Sequence, residues 1–405
     1  MSVSVEEALE VIYKTIKVKS KKLINIENAL GYILAEDIQA THSLPPFNNS
    51  AMDGFAIQCE SKDNSLKVTG AIFAGDDFSG KVEAGCAVKI MTGAKVPNGA
   101  EAVVPIEDVS VDGEQIILNR DIKQNQHIRF LGEDIKKGDN LLKDGEKVTA
   151  YTITLLASQG ISHITVYKKP LVTVFSSGNE LKMHYENVES YQIYNTNTPM
   201  LASRARELGC EVNVIHTVED NLESMSETIK ELLDSDLIIT SGGVSVGEAD
   251  FTKDAFRSVG CEILFDKIDI KPGKPTTFGF IDSTYVLNLP GNPLAAAYNF
   301  ELFATSMISA ISGANEKYLS SITTTLKEAI KIKQGRRTLV PGFFNGDSFQ
   351  ACDKYAPGMV SPLNKTNSFI MISEEVAELK KGSTIKVMST HFELRSSEQN
   401  SLVTL

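Results

Sequence analysis

From residue 168 onward the sequence alternates between short apolar runs and amphipathic stretches of helical length, and this alternation limits the fold more than any other feature. "LVTVFSS" reads as a continuous apolar strand, followed by a helix near Thr198–Leu208 that ends at Gly209. "EVNVIHTV" is a second strand, Leu222–Leu233 a second helix, and "DLIITSGG" a third strand. "TYVLNLPGNP" adds a further strand and a stiff turn before a helix that runs to about Gly313. Strands that are apolar throughout and spaced by helices are the mark of βαβ units, with a parallel sheet covered on both faces.

The flanking sequence has a different texture. Val5, Leu9, Ile12 and Ile16 recur at helical spacing, so the chain opens with an amphipathic helix. From Ala40 to about Lys137, short apolar runs are broken by Gly, Pro, Asn and Asp, which predicts a β-rich module. "VTAYTITLLASQG" returns to helix with Gly160 as its C-cap, and Tyr318 to Met388 is β-like again. The expected architecture is a multidomain α/β protein: a central parallel-sheet domain (168–316), a β-rich domain (41–137), a helical linking domain (1–40 with 138–167), a C-terminal β domain (317–395) and a tail (396–405).

Composition removes several function classes. A net charge of −12 argues against binding nucleic acid through phosphate neutralisation, and an anionic substrate would need a local basic cluster. The five cysteines are far apart, with no CxxC, and read as small buried residues of a reducing cytosol, not as zinc ligands or disulfides. The N-terminus has no basic segment leading into an apolar one, so no signal peptide is expected. "LAAAYNFELFATSMISAISGA" contains Asn299 and Glu301 and reads as a buried helix, not a membrane span. A soluble cytoplasmic protein is the expectation.

In an open parallel sheet, ligands gather beyond the carboxyl ends of the strands. Three such ends are chemically loaded here. "FSSGNEL" places Ser177, Gly178 and Glu180 after the first strand, "TVEDN" places Glu219 and Asp220 after the second, and "TSGGVSVGEADF" places Ser241, Gly242, Gly243, Ser245 and Asp250 after the third. Backbone N–H groups at the paired glycines, with the nearby hydroxyls, can cradle an oxyanion. The spacing is neither that of a dinucleotide fingerprint nor that of a P-loop. Singly, Glu180 and Asp220 read as solvated loop acids and Asp250 equally as a helix N-cap. Together, three acids at successive strand ends suit a hard divalent cation such as Mg²⁺.

"DIKPGKPTTFGF" sets Lys271 and Lys274 on a stiffened turn, a credible oxyanion clamp beside the plainer reading of two solvated lysines. Pro290, Gly291, Asn292 and Pro293 form a second stiff turn whose following helix start also favours an anion; its plain reading is a turn with a capped helix. Asp53 lies in "PPFNNSAMDGFAI", where an Asp-Gly turn is the simplest reading. The six histidines show no metal or triad spacing.

"PPFNNSAMDGFA", "IMTGAKVP", "IRFLGEDI", "FSSGNEL", "SGGVSVGEADF", "IKPGKP" and "LPGNP" occur in this order between residue 45 and about residue 295. Together they make the chain resemble the molybdopterin molybdenumtransferases, a family that includes the E-domain of gephyrin and its plant counterpart. "QGRRTL" and "SPLNKTNSFIMI" extend the resemblance more weakly. It implies an enzyme that takes adenylylated molybdopterin and molybdate and, with Mg²⁺, releases AMP and the metal-loaded cofactor. It also implies an elongated homodimer of four-domain subunits, with a molybdopterin adenylyltransferase upstream. The active site would be a cleft where one subunit's β-rich domain faces the other's α/β domain.

Carried over position by position, the resemblance gives catalytic roles to Asp53, Asp134, Glu180, Asp220 and Asp250, the last three holding Mg²⁺. Thr92, Gly93, Arg129, Ser177, Gly178, Ser241, Gly242, Gly243, Ser245 and Pro290–Pro293 would bind the pterin nucleotide, and Lys271, Lys274, Arg336 and Ser361 molybdate. Asp53, on its stiff loop, would present a carboxylate to a ligand bound elsewhere. Four positions depart from the family pattern: Asn48 and Asn195 stand where Asp is usual, Ala295 where Ser is common, and Pro341 where a further arginine is expected. The alternative reading is a catalytically lapsed member that serves as a molybdopterin-binding or scaffold protein. A third is an enzyme using the same α/β module on another phosphorylated nucleotide.

Overall fold

The structure, a computed structural model, describes residues 2–59, 64–77, 79–243 and 251–390. The chain forms two compact units. The first takes in Met1–Ala35, Asp144–Thr149 and the chain from His163 onward, and the second Glu36–Lys143 and Ala150–Ser162.

Helix α1 (Val5–Thr15) opens the first unit as its periodicity predicts, with a reciprocal cap in which Ser4 and Glu7 satisfy each other's backbone N–H groups. Its face of Val5, Ala8 and Ile12 is buried. The sheet behind it consists of β1 (Leu171–Ser176), β2 (Glu211–Val214), β3 (Leu237–Ser241), β4 (Glu262–Phe265), β5 (Thr277–Ile281) and β6 (Thr284–Leu289), in the order β2-β1-β3-β6-β5-β4. The four strands β2, β1, β3 and β6 are parallel, as expected. The other edge departs from that pattern: β5 pairs antiparallel with β6 and β4 antiparallel with β5. Only two residues join β5 to β6, one of them Asp282 with φ 52, and so short a loop permits a hairpin but no crossover.

Helices cover both faces. α1, α2 (Asn197–Glu207) and α5 (Pro293–Ile311) pack on one face through Leu201, Ala205, Leu287, Leu294 and Phe303. α3 (Leu222–Glu231) and α4 (Phe251–Ser258) pack on the other through Met225, Ile229, Phe256 and Ile238. Helix α5 is long and apolar enough to cross a membrane, yet most of it is buried within the protein as part of this core. It is not uniform, because Phe300–Ala304 form a π-helical turn between two α-helical stretches.

After α5 the chain builds a small barrel from Ile322–Leu326, Arg337–Phe344, Ser348–Ala351, Ser368–Ile372 and Thr384–Ser389, with Leu326, Val340, Phe349, Ile370 and Val387 inside. A short strand from the α/β part, Ile270–Lys271, joins it by pairing parallel with Arg337 and Thr338.

The second unit centres on a six-stranded sheet made from Ala102–Pro105, Gly54–Ile57, Cys86–Ile90, Ser65–Ile72, Gln115–Leu118 and Val109–Asp112. The helix Ala150–Ser158 belongs to this unit, and Gly160 follows it with φ 65, the left-handed residue its sequence predicts.

Candidate active site

A cleft of about 700 Å³ lies at the carboxyl ends of β1, β3 and β6. Of the residues singled out in the sequence, it is lined by Ser177, Gly178, Glu180, Asp220, Ser241, Gly242, Gly243 and the Pro290–Pro293 turn. Glu180 and Asp220, which are 40 residues apart, both line it because β1 and β2 are neighbours in the sheet. Ser245 and Asp250 lie outside the described residues. Among the described residues no three acids, histidines or cysteines converge as a ready-made metal cage. Two carboxylates lining one cleft are nonetheless enough for Mg²⁺, which takes its remaining ligands from water and substrate phosphates. The neighbouring acid Glu219 lines a different, smaller hollow with Tyr185 and His216.

Backbone geometry explains why glycine is needed at the floor of the cleft. Gly242 has φ 102, and a Cβ there would stand 2.6 Å from the carbonyl oxygen of Ser177. The loop after β3 thus passes close beneath the loop after β1, so that backbone itself forms the wall.

Two residues, one that sequence reasoning passed over and one it treated as a defect, hold this floor together. Asn197, buried at the start of α2, donates from Nδ2 to Ser241 Oγ and to the carbonyl oxygen of Gly291, each at 2.8 Å. Ser241 Oγ in turn donates to the Pro290 carbonyl at 3.0 Å. One amide therefore fixes the Pro290–Pro293 turn to the end of β3. Asn195, also buried, accepts the Thr198 N–H at 3.1 Å through Oδ1 and donates to the Thr198 hydroxyl at 3.0 Å. That hydroxyl meets Ser176 Oγ at 2.8 Å. Asn in place of the family's Asp thus serves here as a helix cap whose amide N–H is also used. The signal was present in "YNTNTP", a run of amide and hydroxyl residues just before a helix.

Lys271, Lys274, Arg336 and Ser361 do not line the cleft themselves, but each is beside something that does or beside another member of the set. Pro275 and Val360 are cleft residues, adjacent in sequence to Lys274 and Ser361. The pairing of Ile270–Lys271 with Arg337–Thr338 brings Lys271 beside the Arg336 segment. The barrel loop is tied to the α5 start, since the Leu294 N–H donates to the Pro357 carbonyl at 3.0 Å. The expected side-chain cap at the Pro290–Pro293 turn is not made: Asn292 occupies the N-cap position but accepts no backbone N–H with its side chain.

In the second unit Asp53, Thr92, Gly93, Arg129 and Asp134 belong to adjoining segments. Asp53 Oδ1 accepts both the backbone N–H and the hydroxyl of Thr92, each at 2.7 Å. The Thr92 N–H, and then its hydroxyl, hold the Asp53 carboxyl below its ordinary value. Gly93 donates its N–H to the Ser50 carbonyl, Arg129 pairs with Asn49, and the Asp134 N–H reaches the Leu44 carbonyl. Asn48 Oδ1 accepts the Leu131 N–H at 2.8 Å, a bond that either an amide or a carboxylate can accept.

Gly54 is not there for a turn. It starts a strand with negative φ, and a Cβ on it would lie 1.9 Å from the carbonyl oxygen of Val104. Gly54→Ala is expected to destabilise the unit by about 3 kcal/mol, because backbone must move apart to admit the methyl group. The fall in thermal unfolding midpoint measures it, and an unchanged midpoint would refute the packing argument.

Comparison with known proteins covers nearly the whole chain. Residues 3–160 match the model for the MoeA N-terminal region (domain I and II), residues 173–310 that of a "probable molybdopterin binding domain", and residues 323–390 that of the MoeA C-terminal region (domain IV). The chain is 36% identical over 378 residues to a molybdopterin molybdenumtransferase of Haemophilus influenzae, covering 90% of this chain and 92% of that one. It is 33% identical over 411 residues to one of Staphylococcus epidermidis, covering 96% of each. The fold is similar to that of the molybdopterin biosynthesis MoeA protein of Pyrococcus horikoshii OT3, with a TM-score of 0.84 and 26% identity over 96% of this chain and all of that one.

Proposed function

This chain belongs to the molybdopterin molybdenumtransferase family, and from that premise we propose that its strand-end cleft takes adenylylated molybdopterin and molybdate and releases AMP and molybdenum cofactor. The observation that carries this reading is the cleft itself, where two carboxylates face a floor of close-packed backbone and small hydroxyls.

In this reading the floor of Ser177, Gly178 and Ser241–Gly243 receives the phosphates. The Ser241 hydroxyl is already given to the Pro290 carbonyl, and the Ser177 and Gly242 N–H groups to the Ser241 and Leu289 carbonyls, so these bonds fix the floor. The Ser177 hydroxyl, with the Gly178 and Gly243 N–H groups, would meet the charge without reorganisation. The amide of Asn197 keeps the Pro290–Pro293 wall at a set distance from that floor. Glu180 and Asp220 would hold Mg²⁺, whose chemistry is to neutralise phosphate charge and polarise the phosphoanhydride. Lys271, Lys274 and Arg336, with the Ser361 hydroxyl, concentrate molybdate next to the pterin against the protein's negative net charge. Water cleaves the anhydride, AMP departs and the pterin keeps its phosphate; the two dithiolene sulfurs then bind molybdenum, their two protons leaving with one molybdate oxygen as water.

The decisive assay is AMP release from adenylylated molybdopterin by the purified protein. Release is expected only when both molybdate and Mg²⁺ are present. Tight binding of the substrate without release under any combination of ions would refute the transferase reading.

A further inference from the structure

The turn bearing Lys271 and Lys274 is fastened to helix α5 by a buried amide to which the chemistry above gives no part. Asn299 has no exposed surface and stands between the buried residues Tyr298 and Phe300. An amide in such a place costs stability unless its polar atoms are bonded. Its Nδ2 donates to the Ala295 carbonyl, one turn back in its own helix, at 2.7 Å. That bond orients the amide, leaving Oδ1 to accept from the Thr276 hydroxyl at 3.0 Å. The single proton of that hydroxyl is shared with the carbonyl oxygen of Gly273, 2.8 Å away at the apex of the lysine turn.

The approach at this point leaves no room for a side chain. Gly273 has φ 119, and a Cβ there would fall 1.9 Å from Asn299 Nδ2. Directly after Asn299 the helix changes to its π-helical turn, a rare irregularity that often accompanies functional sites. The fastening also joins two walls of the cleft. Pro293, at the start of α5, lines one side, and Pro275, two residues beyond Gly273, lines another. The far side of the turn is pinned separately, by the pairing of Lys271 with Thr338.

We infer that Asn299, acting through Gly273 and Thr276, is a positioning residue that holds the Lys271–Lys274 turn at a fixed distance from the Pro290–Pro293 turn and so sets the affinity for the oxyanion. The inference rests on the reading of that turn as the molybdate clamp. An apolar residue would fill the same space in the core, but it would leave the Thr276 hydroxyl and the turn with one anchor fewer. Charges that must converge on a small tetrahedral dianion tolerate little displacement, and misplacement by about 1 Å costs on the order of 10- to 100-fold.

The test compares wild type with Asn299→Ala and Thr276→Val by calorimetry with molybdate alone, by the KM for each substrate in AMP release, and by thermal unfolding. Molybdate affinity should fall about 10- to 100-fold in both variants, while the KM for adenylylated molybdopterin stays unchanged. If Asn299→Ala does not fold, Thr276→Val supplies the measurement, since it removes only the hydroxyl. Unchanged molybdate affinity in a folded variant, or equal loss for both substrates, overturns the inference. So does a wild-type protein that binds no molybdate. A wild-type protein that binds molybdate but releases no AMP removes the transferase reading alone, and the difference in affinity between wild type and variant still decides the role of Asn299.

Discussion

Asp220→Asn should lower AMP release by about 100-fold while leaving the fold intact. The substitution keeps the size and shape of the side chain and removes one negative charge from the cleft wall. Oδ1 of Asp220 is turned away from solvent, and its backbone N–H donates to Asn179 Oδ1 at 3.2 Å, a bond that asparagine also permits. What asparagine does not supply is a hard anionic oxygen. A cation held by two carboxylates and the substrate's phosphates would then have one carboxylate, Glu180, among the described residues of the cleft. The signature is therefore a steep rise in the Mg²⁺ concentration needed for half-maximal rate, beyond a lower rate at saturation. Glu219→Gln is the matching control, because Glu219 lines the adjoining hollow, not the cleft, and its carboxylate accepts from Asn221 Nδ2 at 3.1 Å. A variant at 220 that loses activity with an unaltered Mg²⁺ dependence would show that Asp220 serves the site in some way other than holding the cation.

The contrast between residues 219 and 220 illustrates how much of this site was legible in the sequence. Alternation of apolar strands and helices placed β1, β2 and β3 in one parallel sheet, and strand-end logic then nominated both acids. Sequence alone does not say which of two adjacent loop residues faces the cleft, since that depends on how the loop leaves its strand. The antiparallel edge was hidden for a similar reason, because β5 and β6 are as apolar as the parallel strands and only the two-residue loop separates the alternatives. Long-range pairing was beyond reach altogether. Nothing in "IKPGKP" announces that its first residues join a barrel built from the last fifth of the chain and so lie beside the Arg336 segment. Capping signals were mixed: the left-handed Gly160 follows from a local rule, the Ser4–Glu7 pair obeys one that went unread, and the side-chain cap read at the Pro290–Pro293 turn is not made.

Arg204→Met should destabilise the first unit by about 3–5 kcal/mol, and the deficit should shrink as pH falls. Arg204 on α2 and Glu301 in the π-helical turn of α5 form a two-pronged pair, Nε to Oε1 at 2.8 Å and Nη2 to Oε2 at 3.2 Å. The Glu301 side chain is only 10% exposed. A second bond, from Arg204 to Glu207 at 2.8 Å, lies at the surface and contributes little. Burial pushes the Glu301 carboxyl up, and the guanidinium pulls it part of the way back. With methionine in place of the arginine the burial effect is unopposed, and the carboxylate remains in the core without its partner. Because the folded carboxyl then holds its proton to higher pH than the unfolded one, its contribution is full below the unfolded value and is lost as pH rises through the folded value. Urea midpoints of wild type and variant should accordingly differ most near about pH 8 and converge toward about pH 5. Arg204→Met combined with Glu301→Leu should recover most of the loss at either pH, since a well-packed apolar pair replaces a buried ionic one at little net cost. A deficit that stays constant across this range, or a double variant no more stable than the single one, would mean that lost packing of the arginine stem, not the stranded carboxylate, is what the substitution measures.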